Sequence, residues 1–356
     1  MKILQVIPAL VNGGAEHFVI ELSNELCRQG HSVEVLTLYD VLSDNEILNA
    51  FDSRIRMISL HKKKGLDLHM FFKLWKFISK SKFDAVHGHV GAIKYLIIAS
   101  FLCRKVRFVA TIHSEAKREA GKSIDKWSRK LMFCFRSCTP VTISEESELS
   151  FEKYYGRKGI LIINGVSSYK KNKQLCLRDN DSQIVFLHPA SCQPVKNQAL
   201  LFNAFNRLLD NGVDVKIFWV GSNKAYIDLF ESLKPIMSKQ IVYLGEVNNV
   251  RDYMIASDAT CLSSKMEGMP MTIIESFSVG RPVICTPVGG CVNIIKPGMN
   301  GLMSDSLSVD SYYKVLKTFV SLPKTEKKKM SEYSRKSFND YTIEKCAKQY
   351  LEVYES

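Results

Sequence analysis

A chain of 356 residues, 46% hydrophobic and 24% charged, has the composition of a folded globular protein and the length of two ordinary domains, which excludes a disordered or fibrous chain. No run approaches the roughly 20 apolar residues that span a bilayer. The formal charge of +13 is concentrated, with 20 basic against 5 acidic residues from Arg54 to Arg136, a bias that points to an anionic partner.

The opening MKILQVIPAL lacks a long apolar core and a small-residue cleavage site, so it reads as a first strand, and a cytoplasmic protein is expected. Short apolar runs then alternate with helical patterns, the signature of a parallel sheet covered on both faces. Strands are predicted at Lys2–Ile7, Ser32–Thr37, Arg56–Leu60, Ala85–His87, Arg107–Ile112, Pro140–Ile143 and Leu161–Ile163. Helices are predicted at Ala15–Gln29, Leu68–Ser79, Ile93–Leu102, Ser123–Cys134 and Glu145–Tyr154. In the second of these, Leu68, Phe71, Phe72, Trp75 and Ile78 fall at helical spacing and read as a core-facing stripe, with the lysines between them turned toward an anionic membrane. No RNA- or DNA-recognition motif accompanies the charge, so no nucleic-acid partner is expected.

Asn164-Gly165-Val166 closes a first domain of residues 1–166, and the polar stretch Ser167–Ser182 reads as a linker. A second alternating series fills residues 182–340. Its strands are predicted at Ile184–His188, Val215–Val220, Ile241–Leu244, Ala259–Leu262, Val283–Thr286 and Gly301–Ser304. Its helices are predicted at Lys196–Leu209, Tyr226–Met237, Val250–Ile255, Met271–Val279 and Ser308–Leu322, and Thr342–Tyr354 forms a last helix. The ten cysteines are dispersed, with no CxxC pair and no histidine at zinc spacing, so no metal cluster is expected. Cys134, Cys261 and Cys285 sit in apolar runs and read as small buried residues.

The segment from Glu267 to Glu275, EGMPMTIIE, carries the clearest chemistry. Gly268 lets the backbone bend and Pro270 suits a helix start, after which Met271, Ile273, Ile274 and Phe277 mark a buried face that ends near Gly280. Such a helix start attracts phosphate. Two carboxylates, Glu267 and Glu275, make sense beside that anion when they accept from neutral hydroxyls, and anion plus hydroxyls implies a nucleotide-sugar. Elsewhere, Gly13-Gly14 opens the first helix and allows close approach of an anion, although it is not a GxGxxG fingerprint. His87, His89 and His113 each follow an apolar run, and Lys196 lies where a diphosphate would meet a helix start.

These residues together resemble the retaining GT-B glycosyltransferases of family 4, also called group 1. The Glu-x7-Glu pattern around Gly268-Met269-Pro270 carries the likeness, with Ser257-Asp258, Leu262-Ser263-Ser264, Gly280-Arg281-Pro282-Val283-Ile284, Gly289-Gly290 and Asn300-Gly301-Leu302 around it. The resemblance implies an α/β GT-B architecture, two Rossmann-like domains facing each other across a donor-binding cleft, with the final helix (342–356) returning to the first domain. It places Glu267 by the donor sugar, Glu275 on the ribose, Lys196 and Gly13-Gly14 at the diphosphate and His113 against the sugar. Gly268, Met269, Pro270 and Met271 shape the same donor site, and the strand ends Gly221 and Glu246-Val247 flank the base. Members carry a Gly-Arg shortly before the lysine, whereas His188–Val195 here contains no arginine, so either Lys196 suffices with Ser191 or Gln193, or another basic residue substitutes.

The implied reaction is a metal-independent, retaining hexosyl transfer, without cofactor, from a UDP-sugar to a glycan or lipid-linked glycan of a bacterial surface polysaccharide such as lipopolysaccharide or capsule. The basic first half suits peripheral contact with the inner face of an anionic cytoplasmic membrane. Two other functions fit parts of the pattern: a GT-B sugar-nucleotide 2-epimerase, and a non-catalytic basic membrane-binding protein with a degenerate site.

Overall fold

The computed structural model describes residues 1–11, 13–41, 46–121, 123–169, 173–247 and 249–356. In chain order it has β1 (Lys2–Ile7), α1 (Gly14–Arg28), β2 (Ser32–Thr37), β3 (Arg56–Ser59), α2 (His69–Lys80), β4 (Ala85–His89), α3 (Ile97–Leu102), β5 (Arg107–Ile112), α4 (Ala116–Glu119), α5 (Ser123–Cys134), β6 (Thr139–Thr142), α6 (Glu145–Tyr155) and β7 (Ile160–Leu161). There follow β8 (Ile184–Pro189), α7 (Gln198–Asp210), β9 (Val215–Val220), α8 (Ile227–Leu233), β10 (Ile241–Gly245), α9 (Val250–Ala256), β11 (Ala259–Leu262), α10 (Met271–Ser278), β12 (Val283–Cys285), α11 (Cys291–Ile294), β13 (Gly301–Met303), α12 (Val309–Ser321), α13 (Lys324–Phe338) and α14 (Ile343–Glu355).

The chain forms two compact units, one of Met1–Val166 with Tyr341–Ser356 and one of Ser167–Asp340. The first holds a seven-stranded sheet in the order β3-β2-β1-β4-β5-β6-β7, and the second a six-stranded sheet in the order β10-β9-β8-β11-β12-β13. Every pairing is parallel, with Lys2 opposite Ser32 and Ile184 opposite Val215 at the strand starts. A parallel sheet needs cover on both faces, and the near-continuous burial of β1, β2 and β5 meets that need. In each unit the order reverses beside the first strand, between β1 and β4 and between β8 and β11. Doubly wound sheets bind ligands in the crevice beyond the strand ends at that reversal.

One face of the first sheet packs against α2, α3, α5 and α6 through residues such as Leu74, Ala99, Phe133 and Phe151. The other packs against α1 and α14, where Phe18, Leu22, Tyr350 and Tyr354 are buried together. In the second unit, α7 and α12 cover one face around the fully buried Trp219. Among the described residues no helix is long and apolar enough to cross a membrane.

Several expectations change. The stripe of α2 is Met70, Phe71, Leu74 and Ile78, with Trp75 and Phe77 half-buried against the same core, while Leu68 and Phe72 are exposed because they fall away from the face that meets the sheet. Cys134 is exposed although Cys261 and Cys285 are buried, because it falls on the outer side of α5. The helix predicted from Ile93 begins as 3-10 turns over Val90–Leu96. The one predicted to Met237 tightens into a 3-10 turn at Lys234–Ile236, where Pro235 supplies no N–H. α13 has no counterpart in the sequence reading, because it buries only Met330, Ser334 and Phe338 on a narrow seam of an otherwise polar helix. The stretch read as a linker touches the second unit where it is described, with Tyr169 and Leu177 packed on its core and Arg178 bonded to Asp258 at 2.7 Å; residues 170–172 lie outside the described residues.

Candidate active site

In the second unit the sheet reversal brings together the segments that follow β8 and β11. After β8 the chain runs from Ala190 into a 3-10 turn, Pro194–Lys196, and α7 starts only at Gln198. Lys196 therefore closes a turn and does not begin the helix as predicted: Pro194 starts the turn, and Asn197 takes a left-handed conformation (φ 52°) that separates it from α7. After β11, Ser263 donates to the Lys196 carbonyl at 2.8 Å, and the Lys265 N–H donates to the Val195 carbonyl at 2.7 Å. This lacing places the Lys196 ammonium 2.7 Å from Glu267 Oε1, which also accepts from Ser264 Oγ at 2.5 Å. The pair is half-buried, so it keeps one face toward a ligand.

Glu267 leads into Gly268-Met269-Pro270, and α10 begins at Met271 with no side chain capping its start. The loop is held from behind by Gly290, whose N–H donates to the Gly268 carbonyl at 3.0 Å. A Cβ on Gly290 would lie 2.4 Å from that carbonyl oxygen, so the second residue of Gly289-Gly290 has to be glycine for the loop to sit there. Met269 and Met271 are buried, whereas Met266 is exposed. Glu275 is half-buried on α10, beside Ile273, Ile274 and Phe277, which are fully buried in the core.

The other expected donor residues are placed at neighbouring strand ends. Gly221 follows β9 with φ 146°, and a Cβ there would come within 2.3 Å of the Ala190 carbonyl, so this glycine serves the packing of the strand end. Glu246 follows β10 and pairs with Lys224 at 3.3 Å, and Val247 packs on the core near Val185 and Leu187. Ser191 and Gln193 are bonded to each other at 2.9 Å. The cation that sequence reading missed is Lys265, exposed and laced to the Val195-Lys196 turn. Only the fold reveals it, because 69 positions separate it from Lys196. Arg281 is no substitute: it donates to the Met254 and Ile255 carbonyls beside α9.

In the first unit the three strand-end histidines form one buried network. His87 meets Tyr354 and Thr111, each at 2.7 Å, and Thr111 meets Tyr350 at 2.8 Å. His89 meets Gln5 at 2.8 Å and His113 at 3.0 Å, and Phe18 stacks edge-on against His113. The backbone N–H of His113 donates to Glu119, which is itself tied to the buried Arg129. Gly13 caps α1 in extended conformation, with Gly14 as the first helical residue. A Cβ on Gly13 would lie 2.5 Å from Glu16 Oε2, so the chain's own carboxylate folds back over this helix start. Burial raises the Glu16 pKa above the usual carboxylate value.

Burial, with the charge of Arg129 adding to it, lowers the His113 pKa to about 3, and burial lowers His188 of the second unit to about 4. His188 donates its Nδ1–H to the Cys261 carbonyl (2.8 Å), while its Nε2 is unpartnered. Both rings are neutral when folded and take up protons on unfolding once the pH drops below about 6.5, the unperturbed value. Stability is therefore full above that pH and falls as the pH descends toward the folded values. At pH 5 each histidine should cost about 2 kcal/mol relative to pH 8. The urea midpoint measured at the two pH values checks this, and His188→Gln should flatten the second unit's share of the change.

Among the described residues no group of three or more His, Cys, Asp or Glu side chains is placed to hold a metal ion.

Comparison with known proteins gives the site its family. Residues 12–168 match the model described as Glycosyltransferase Family 4, and residues 170–337 match the model for group 1 glycosyl transferases. An Escherichia coli protein, UDP-Gal:alpha-D-GlcNAc-diphosphoundecaprenol alpha-1,3-galactosyltransferase, is 29% identical over 303 residues, covering 78% of this chain and 76% of its own length. The Staphylococcus aureus capsular polysaccharide biosynthesis glycosyltransferase CapH is 23% identical, covering 100% of this chain and 99% of its own. The crystal structure of Anabaena HepE in complex with UDP and glucose superposes with a TM-score of 0.79 at 17% identity, over 99% of this chain and 98% of that one. The fold is GT-B, and with both halves matched, this chain belongs to the family 4, group 1 glycosyltransferases.

Proposed function

We propose that this glycosyltransferase moves a sugar from a UDP-sugar to a glycan or lipid-linked glycan of a bacterial surface polysaccharide, with retention at the anomeric carbon and without a metal ion. The observation that carries the reading is the Lys196–Glu267 pair beside the uncapped start of α10, at the reversal of the second sheet. It combines a cation and helix amides suited to a diphosphate with a carboxylate suited to sugar hydroxyls. UDP is favoured because the Anabaena neighbour holds UDP and glucose and the E. coli relative is named for UDP-Gal. A lipid-linked acceptor is favoured by the diphosphoundecaprenol in that relative's name.

In this reaction the bond between the anomeric carbon and the diphosphate oxygen breaks, and its electron pair leaves with UDP. Lys196, with Lys265 in the role of the absent arginine, and the first amides of α10 stabilise that charge. Glu267 accepts from Lys196 and Ser264 through Oε1, which leaves Oε2 to orient a sugar hydroxyl. The acceptor oxygen bonds to the same face of the sugar, and its proton passes to the departing diphosphate. Glu275 holds the ribose.

The test is calorimetry with UDP, GDP and ADP, followed by turnover of UDP-hexoses in EDTA with product anomer assigned by NMR. UDP binding and an α-linked product from an α-linked donor support the proposal. An inverted product, or loss of activity in EDTA restored by a divalent ion, removes the corresponding part. Conversion of the UDP-sugar to its 2-epimer would favour the epimerase reading.

A further inference from the structure

We propose that a groove at the N-terminal edge of the first sheet binds a small, soluble phosphate ester carrying free hydroxyls, a sugar phosphate or a nucleotide. The site belongs to the first unit alone and does not depend on the proposed transfer. Asp84 precedes β4, Arg107 opens β5 and Thr139 opens β6, and all three line an open groove of about 690 Å³. It therefore lies at the opposite edge of the sheet from His89 and His113, and its size suits a small organic ligand. Phe108 and Tyr354, both buried, form part of the lining, so the groove is recessed into the unit.

Charge sets the class of ligand. Arg104, Lys105, Arg107 and Arg136 line the groove, and among the described residues none of these four side chains has an ion-pair or hydrogen-bond partner. Unpaired cations sharing one concavity focus a field that draws an anion, and guanidinium groups match phosphate best. Asp84 and Glu355 stand in the same lining. Asp84 Oδ2 accepts from the Lys2 N–H at 2.6 Å, which leaves Oδ1 for an incoming donor. Carboxylates repel a bare anion and accept from hydroxyls, so a ligand that satisfies both signs is a phosphate ester with hydroxyls. Phe101 and Phe135, exposed at the rim with ring centroids 5.9 Å apart, offer aromatic faces to a base or sugar ring.

The backbone supplies an independent observation. After α5 the Arg136 N–H donates to the Phe133 carbonyl at 3.2 Å and the Ser137 N–H to the Met132 carbonyl at 3.0 Å, with Arg136 left-handed at φ 54°. α1, α7 and α10 end on the same pair of hydrogen bonds, and there the left-handed residue is Gly30, Gly212 and Gly280. Glycine takes that conformation freely, whereas a side chain crowds the neighbouring carbonyl. The chain thus keeps a strained arginine where three of its other helices use glycine, and that arginine lines the groove. Strain held at such a position points to work done by the side chain.

The experiment is calorimetry of the full chain with inorganic phosphate, glucose 1-phosphate and AMP at low salt. We expect at least one ester to bind about ten-fold more tightly than inorganic phosphate, and the tighter of the two names the source. Arg136→Gly should weaken that binding about 10- to 100-fold and raise the melting temperature by about 2–4 °C, because glycine removes the contact and the strain together. Arg104→Ala with Arg107→Ala should weaken it as far, with UDP affinity unchanged in both variants. Lys196→Ala, in the second unit, should leave ester binding intact. Absence of ester binding, esters no tighter than phosphate, binding that survives Arg136→Gly, or binding lost with Lys196→Ala overturns the proposal. A lower melting temperature in Arg136→Gly overturns it too, since Arg136 would then serve the fold. Capture of anionic vesicles through these arginines by a chain that binds neither ester would overturn it in favour of a lipid headgroup.

Discussion

Lys196→Ala should lower kcat/KM for the sugar donor by about a thousand-fold, or ~4 kcal/mol, at unchanged fold stability within about 1 kcal/mol. The large loss follows from geometry. Lys196 is fixed on both sides, by the Ser263 bond to its carbonyl and by Glu267 at its ammonium, so its charge is in place before a leaving diphosphate develops. Pre-placed charge acts on the transition state without reorganisation. The small stability change follows from the pair's partial exposure, which screens the interaction.

The paired carboxylate adds a second, sharper expectation. With Lys196 gone, Glu267 keeps only Ser264 as a partner and presents a net negative charge where the diphosphate should bind. UDP affinity should then fall further than loss of one cation explains, and Glu267→Gln in the Lys196→Ala background should restore part of it. The two substitutions are thus non-additive in binding, as expected for residues in contact. In turnover the double variant should stay as slow as Lys196→Ala, because the glutamine replaces no transition-state charge. Calorimetry and steady-state kinetics on the four proteins test this; additive effects on UDP affinity would show that the pair is not the diphosphate site.

That pair also shows how far the sequence could be read. Each residue was legible alone, since Lys196 follows one apolar run and Glu267 another, in a chain whose strand period was plain. Their contact was not, because 71 positions separate them and only the strand order, with β11 beside β8, closes that distance. Lys265 was invisible for the same reason. α13 was missed on different grounds: its three buried positions include a serine that donates to the Asn300 carbonyl, so no apolar period exists to detect. His87, His89 and His113 read as three separate strand-end residues, and their joining through Tyr350, Tyr354 and Gln5 depends on α14 and β1 packing beside them.

Glu275→Ala should raise the dissociation constant for UDP by 30- to 100-fold while leaving the fold intact. The residue lies on α10, whose inner face is fixed by Ile273, Ile274 and Phe277, all fully buried, so the outer side of the helix has little freedom to shift. A carboxylate there accepting from the two ribose hydroxyls makes charge-assisted bonds, each worth about 1.5–3 kcal/mol when the partner groups match. Part of that gain offsets the cost of drawing the carboxylate from water, which brings the expected loss to about 2–3 kcal/mol. Removing the hydroxyls from the ligand should have the same effect as removing the carboxylate from the protein. A 2′,3′-dideoxy uridine diphosphate should therefore bind the wild-type chain and the Glu275→Ala variant about equally, each weaker than UDP binds the wild type. If the variant instead loses UDP and the dideoxy ligand to the same extent, Glu275 acts by holding α10 and not by touching ribose. If it keeps full UDP affinity, the nucleotide lies elsewhere, and the assignment of both glutamates to the donor falls with it.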